Sequence, residues 1–442
     1  MDFFDREEET SELRRLRDLS EKVSRLTVLT GRRRVGKTEL LHHALGDRPY
    51  IYWLVTRSAE RELCLTMQNV AEEVLGVRLP GRADSFIALF RWVMQESVRH
   101  PVTLIIDEFQ EFFRVNQSVF SEMAGVWDSL HKEARINLVV CGSVNRLMGR
   151  IFFDEGEPLY GRNTGKITLE PFRISVLKDI LATYSPNRTF APDDLLTLWT
   201  LTGGVARYVE QLMDEGAVTR DGMLDATFRR SSPMLDEGRS VLVQEFGKDY
   251  GNYFSILSAV AGGDTSYGAI KSAVGVDPGA YLSKLEFEYG ILEKKLPFKG
   301  LSSGKQSLYK IEDRFFRFWF RFVYKYQYLI EMGRFAELLG IVRRDFDAYS
   351  GEALESYFRA RFKEDATYTR IGGWWDRKGE NEIDLVCEDE LQKRMRFIEV
   401  KRDRRDISIS ALKAKTEAFF RKTGMLPNGW SCDYSGLSLE DM

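Results

Sequence analysis

Apolar residues recur along this chain with two different periods, and the changes of period mark its elements. RLTVLT (25–30) is a short β-branched run that reads as a buried strand, and ELLHHAL (39–45) behind it has helical spacing. VTLIIDEFQEF (102–112) stays apolar until it meets two carboxylates, the pattern of a central parallel strand buried on both faces. INLVVCGS (136–143) predicts a further strand, and YIYWLV (50–55) a strand interposed between the first and the acidic one. Strands alternating with helical segments predict an α/β domain with a parallel sheet over residues 1–170. Residues 171–245 read as a helical lid, broken at TGGVARYVE (202–210), where Gly203 and Gly204 end one helix.

From about residue 250 the pattern shortens. Three brief helical segments and a hairpin about LSSGKQ (301–306) predict a winged helix over 246–330. Its second helix opens at Thr265 or Ser266, and Pro278 lies in the first turn of its third. Lys294, Lys295, Lys299 and Lys305 on the hairpin suit phosphates, but the third helix carries Glu286 and Glu288 against one Lys284. Packing against the first domain or a protein partner is therefore as good a reading as DNA binding. RFFRFWFRFVYKYQYLI (314–330) predicts interdomain core with snorkelling arginines, with base stacking as the alternative.

Residues 331–442 predict a second α/β domain. A helix is expected after Ser350, with Leu354, Tyr357 and Phe358 inward and Glu355 beside them. Two strands follow, EIDLVCE (382–388) and RFIEVKR (396–402), joined by a polar turn. Successive strand residues face opposite ways, so Glu399 and Lys401 share a face and Ile398 and Val400 the other. Pairing about residues 391 and 392 sets Asp384 opposite Glu399.

Composition narrows the picture. The 442 residues suggest several domains, and 43% hydrophobic residues supply cores for them. A net charge of -3 leaves no global basic field, so nucleic acid binding needs local patches. Cys64, Cys141, Cys387 and Cys432 form no CxxC pair and, with four histidines, no zinc cluster. The charged opening MDFFDREEETSELRR and the lack of an apolar run near the ~18 residues of a span predict a cytoplasmic chain outside the membrane.

Two stretches carry chemistry. GRRRVGKT (31–38) fits a phosphate loop between strand and helix. Gly31 and Gly36 permit the turn. The backbone of Arg32, Arg33, Arg34 and Val35 and the helix start at Lys37, Thr38 and Glu39 face the phosphates of ATP. Lys37 reaches the β and γ phosphates, Thr38 and Asp107 hold Mg²⁺, and Glu108 polarises the attacking water. Ser143 either senses the γ-phosphate or caps a helix. The second stretch sets Asp384, Glu399 and Lys401 on one face, with Glu355 near. Carboxylates at cross-strand distance repel unless neutralised, and a divalent ion such as Mg²⁺ or Mn²⁺ suits such oxygens. Lys401 would then orient or deprotonate water and stabilise phosphate charge.

The adjacent Asp-Glu resembles the additional-strand, catalytic-glutamate branch of P-loop ATPases, which includes AAA+ proteins. That resemblance implies an arginine from a neighbouring subunit, hence a homo-oligomer; Arg162 in PLYGR (158–162) is the first candidate and Arg146 the second. Arg207 is a lid candidate for nucleotide contact or a plain loop arginine. Glu355, Asp384 and Glu399-Val400-Lys401 resemble the PD-(D/E)XK nuclease core, with Ile383 where its proline stands. The whole chain resembles the archaeal-type, STAND-like ATPase family with a C-terminal DUF234 domain, through FFDREEE (3–9), GRRRVGKT, IIDEFQ (105–110), PLYGR, the GG segment (203–208), GGWWDRKGENEIDLV and FIEVKR. Ala206 replaces the proline usual in the GG segment, which weakens any adenine contact there. The expectation is an ATPase that controls a Mg²⁺- or Mn²⁺-dependent DNA nuclease domain. The alternatives are a nucleotide switch whose last domain binds DNA or a partner without cleaving, and a protein remodeller.

Overall fold

The computed structural model describes residues 1–143, 145–186, 188–246, 250–300, 307–376, 380–424 and 429–442. The chain divides into two units, Asp5–Pro171 and Phe172–Met442, the latter joined by Met1–Phe4.

In the first unit, strands β1 (Arg25–Gly31), β2 (Ile51–Leu54), β3 (Val102–Asp107), β4 (Ile136–Gly142) and β5 (Gly165–Leu169) form one parallel sheet in the order β2-β3-β4-β1-β5. β4 is buried along its whole length and β1 along all but its first residue, as strands covered by helices on both faces must be. The sequence expectation needs correction at one strand. YIYWLV lies between β1 and β3 only in chain order; in space β4 fills that gap, and β2 runs along the edge beside β3. The two have similar composition, and strand order is set by which helices pack together, not by local pattern. One face of the sheet packs on an aromatic core of Trp53, Phe86, Phe90, Phe109, Phe112, Phe120 and Phe152, the other on Leu40, Leu41, Ile105, Val139 and Ile167. The register aligns Thr30 with Gly142 and Leu54 with Asp107, so the carboxyl ends of β1, β3 and β4 open together, where open α/β sheets bind ligands.

The second unit begins with helices including Pro192–Thr202 and Ala206–Asp214. A winged-helix arrangement follows: helices Tyr250–Gly262, Tyr267–Val274 and Gly279–Phe287, then antiparallel strands β6 (Leu292–Lys295) and β7 (Leu308–Ile311). Ser266 is the N-cap of the middle helix, its hydroxyl accepting from the Ala269 N–H. The LSSGKQ turn and its Lys305 lie outside the described residues. Phe315, Phe316, Phe318, Trp319, Phe320 and Phe322 are buried, so the aromatic stretch is core and not a stacking surface.

A 30-residue helix, Phe335–Glu364, about 45 Å long, then leads into the last domain. It starts well before Ser350, which is no cap. Ser350 is buried in mid-helix and its hydroxyl accepts from Arg402 at 2.6 Å. Strands β8 (Arg370–Trp375), β9 (Glu382–Asp389), β10 (Arg394–Val400) and β11 (Ser431–Leu437) form a sheet ordered β11-β10-β9-β8. β8, β9 and β10 are antiparallel neighbours; β11 runs parallel to β10 after the crossover helix Ile409–Thr423. Leu385, Cys387, Ile398 and Val400 join the core that holds Leu354, Tyr357 and Phe358 of the long helix. Val386, Met395 and Phe397 join Leu412 and Phe419 of the crossover helix.

Candidate functional site

β1 delivers Gly31 to the start of the phosphate loop, and a side chain there is excluded: a Cβ would stand 2.6 Å from the Leu169 carbonyl oxygen. Gly36 closes the loop at φ 99, a left-handed conformation that favours glycine. Val35 is buried under the loop, whereas Thr38 and Glu39 are exposed in the first helical turn. Lys37 is buried and donates to the Gly31 and Arg32 carbonyls at 2.9 and 3.0 Å. Burial lowers its pKa, against the pull of Glu108 and Asp107. The Thr38 hydroxyl donates to Asp107 at 3.3 Å, so the two groups expected to hold Mg²⁺ already touch.

Asp107 is fixed from four sides. Oδ2 accepts from Thr38 and from the Tyr52 hydroxyl at 2.5 Å; Oδ1 accepts from the Glu108 N–H at 2.8 Å and the Cys141 thiol at 3.0 Å. Burial and then Asp107 raise the pKa of Tyr52, which stays a donor. Glu108 has φ 53, a strained value for a residue with a side chain. Its carboxylate accepts from Ser143 at 2.9 Å and from the Gln110 amide. Tyr52, Gln110 and Cys141 escaped sequence reasoning. Tyr52 was the legible one, alternating with buried Ile51 and Trp53 and so aimed at the phosphate-loop helix. Arg162 is engaged elsewhere: it donates to both Asp128 oxygens at 2.9 and 2.6 Å and to the Pro158 and Tyr160 carbonyls. The side chain of Arg146 lies outside the described residues. Arg207 pairs with Glu210.

In the last domain, Arg394 pairs with Asp389 and Ile398 with Leu385; one more step of that register sets Glu399 across from Asp384. β9 carries an extra residue here, since Gly372 pairs with Val386 but Trp374 with Ile383. A bulge re-aims the side chains beside it. Asp384 Oδ2 accepts the Val400 N–H at 2.7 Å, taking the place of a main-chain partner. Lys401 Nζ lies 3.6 Å from Asp384 Oδ2 and 3.6 Å from Glu399 Oε1, and Lys415 of the crossover helix lies 3.2 Å from the same Glu399 oxygen. Both acids are buried, and Glu399 Oε2 has no hydrogen-bond partner. Burial works against the charge on Lys401, but Asp384, Glu399 and Glu355 outweigh it and hold its pKa above the usual value. Glu355 is pushed up to about 7, by burial first and then by Asp384, against Lys310 and Arg359.

The structure therefore gathers Asp384, Glu399 and Lys401 and sets Glu355 within their field. Among the described residues, no group of three or more His, Cys, Asp or Glu is placed to hold a metal ion. The repulsion that a cation would relieve is met by Lys401 and Lys415. The orphaned Glu399 oxygen and the all-oxygen donors fit Mg²⁺ or Mn²⁺ in type.

The wing is not free. Lys299 pairs with Glu388, Lys295 with Glu293, and the Phe298 N–H donates to the Gly373 carbonyl on edge strand β8 at 2.7 Å. Phe298 shares a core with Trp374 and Phe419. The winged helix thus packs on the last domain, a partner that sequence reasoning did not name.

A family model described as an ATPase domain predominantly from Archaea matches residues 3–212, and one described as archaeal and bacterial proteins of unknown function matches residues 319–414. An uncharacterized protein of Methanocaldococcus jannaschii is 28% identical over 413 residues, 90% of this chain and 87% of its own length. A second from that organism is 32% identical over 91 residues, 20% of this chain and 88% of its own. The Walker-type ATPase paby2304 of Pyrococcus abyssi aligns with TM-score 0.55 at 20% identity, covering 72% of this chain and 96% of its own. The Aeropyrum pernix ORC2 protein, solved as ADPNP-ADP complexes, aligns with TM-score 0.50 at 16% identity, covering 74% and 94%. At such identities the likeness is one of fold.

Proposed function

This chain belongs to the family of ATPases whose domain occurs predominantly in Archaea, and from that membership we propose that ATP turnover in its first unit controls a metal-dependent DNA phosphodiesterase in its last domain. The observation that carries the second half is the convergence of Asp384 and Glu399 on Lys401, each within 3.6 Å.

At the first site the loop 31–36 and Lys37 bind the phosphates, and Lys37 exchanges the Gly31 and Arg32 carbonyls for them. Thr38 and Asp107 would hold Mg²⁺, which supplies charge neutralisation on the phosphates when bound. Tyr52 and the Glu108 N–H fix the Asp107 carboxylate. Glu108 polarises the attacking water once it exchanges Ser143 and Gln110 for that water. Ser143 thereby reads the state of the base. Arg162, once released from Asp128, is the candidate to act across a homo-oligomer.

For Glu355, Asp384 and Glu399 to hold Mg²⁺ or Mn²⁺ they would have to draw closer together than they stand here; the ion, when bound, would activate water and polarise the phosphodiester. Lys401, 3.6 Å from both Asp384 and Glu399, would stabilise charge on the phosphate or orient the attacking water. The docked wing is the physical link by which movement of the winged helix reaches β8 and β9. No helix among the described residues is long and apolar enough to cross a membrane.

The test is cleavage of plasmid and branched DNA in Mg²⁺ or Mn²⁺ by wild type, Asp384→Ala and Lys401→Ala. Loss in both variants supports the reading; equal cleavage by all three assigns it to a contaminant. A second reading, a nucleotide switch that binds DNA or a partner without cutting, is favoured by Lys401 standing between two of the acids. It predicts no Mn²⁺ heat in calorimetry of a Lys37→Ala chain.

A further inference from the structure

RFFRFWFRF carries three arginines, of which Arg321 lies 5.2 Å from the Phe322 ring centroid. Arg314 and Arg317, three residues apart, share a helix face. Opposite stand Glu352, Ser356 and Arg359 of the long helix, at the i, i+4, i+7 spacing of one face. Lys310 of β7 enters from the wing.

The charges in this cleft do not balance pair by pair. Lys310 lies 3.0 Å from one Glu352 oxygen and Arg317 bonds the other, so one carboxylate serves two cations. Arg314 has no carboxylate partner among the described residues. It donates to the Ser356 hydroxyl and lies 5.2 Å from the ring centroid of Trp199, whose indole N–H donates to the same hydroxyl at 3.0 Å. Arg359 Nε is buried with no hydrogen-bond partner. Gly203 closes the floor: a Cβ there would stand 3.2 Å from the Arg314 Cβ, which gives the glycine pair a packing role. Buried cations without counter-charge are costly, and an anion removes that cost. Water reaches the cleft, with Lys310 31% and Arg317 22% exposed. Glu355, among the electrostatic neighbours of Lys310, Arg314 and Arg359, is also a neighbour of Asp384.

We infer that this cleft binds a phosphate group through Lys310, Arg314, Arg317 and Arg359 and presents it to Glu355, Asp384 and Lys401. The presentation rests on the phosphodiesterase reading; the binding does not. The source is either a nucleic acid backbone or a free phosphate compound.

Anisotropy of a short labelled deoxyoligonucleotide tests it, with the full chain carrying Lys37→Ala to silence the phosphate loop and EDTA to prevent cleavage. Arg314→Gln should raise Kd about tenfold, the worth of a charge-assisted hydrogen bond. Glu352→Gln should lower Kd about threefold by freeing Lys310 and Arg317, a gain that misfolding does not produce. Competition by inorganic pyrophosphate that displaces the oligonucleotide assigns recognition to the phosphate group itself; resistance to it assigns recognition to the chain, and both keep the site. Unchanged Kd in Arg314→Gln and Glu352→Gln overturns it. Asp384→Asn should lose cleavage yet still bind the oligonucleotide, so loss of cleavage and loss of binding are read separately.

Discussion

Glu355→Gln asks whether the acids of the last domain share one field. Burial, then Asp384, lifts Glu355 from 4.5 to about 7. A carboxyl whose folded pKa exceeds its unfolded one holds its proton more tightly when folded. Its stabilising contribution is complete below pH 4.5 and disappears as pH rises through 7. At about 1.4 kcal/mol per pKa unit the undamped loss is roughly 3 kcal/mol. Glu355 is only half-buried, so solvent screening reduces this to about 1–2 kcal/mol. Glutamine has no proton to lose. The variant should therefore gain stability over wild type between pH 5 and pH 8, by a Tm difference of about 2–4 °C. Scanning calorimetry of the full chain at the two pH values reads it. A difference that is equal at both, or larger in acid, refutes the shared field.

Three further outcomes follow from the first unit. Lys37→Ala should abolish ATP binding in calorimetry, because its ammonium is the charge buried in the loop. Glu108→Gln should bind ATP with unchanged Kd yet turn over about a hundredfold or more slowly; normal turnover removes Glu108 from the base role. Tyr52→Phe deletes one of four hydrogen bonds on Asp107, about 1 kcal/mol, so the Mg²⁺ concentration for half-maximal turnover should rise about fivefold with kcat little changed.

Local signals were the legible ones. The phosphate loop is contiguous, and its strand, glycines and helix stand in one line of sequence. The β9–β10 register was legible because apolar alternation on both strands and a polar turn admit one pairing. Tertiary choices were not. Nothing in YIYWLV distinguishes an edge strand from an interposed one. Ser350 has the look of a cap, but the helix runs through it from Phe335 because Leu338, Val342 and Phe346 continue the buried stripe. Lys401 and Lys415 both lie against Glu399, and Lys415 is on a helix whose approach the strand pattern does not encode. The Arg314 and Glu352 contacts join segments 35 or more residues apart.

If the nucleotide site governs the carboxylate site, plasmid cleavage must respond to ATP. Cleavage of plasmid DNA in Mn²⁺ is followed with and without ATP for wild type and Glu108→Gln. ATP should change the wild-type rate, and Glu108→Gln, which holds ATP unspent, should stay fixed in the ATP-bound rate. Cleavage that is indifferent to ATP and to Glu108 contradicts that control.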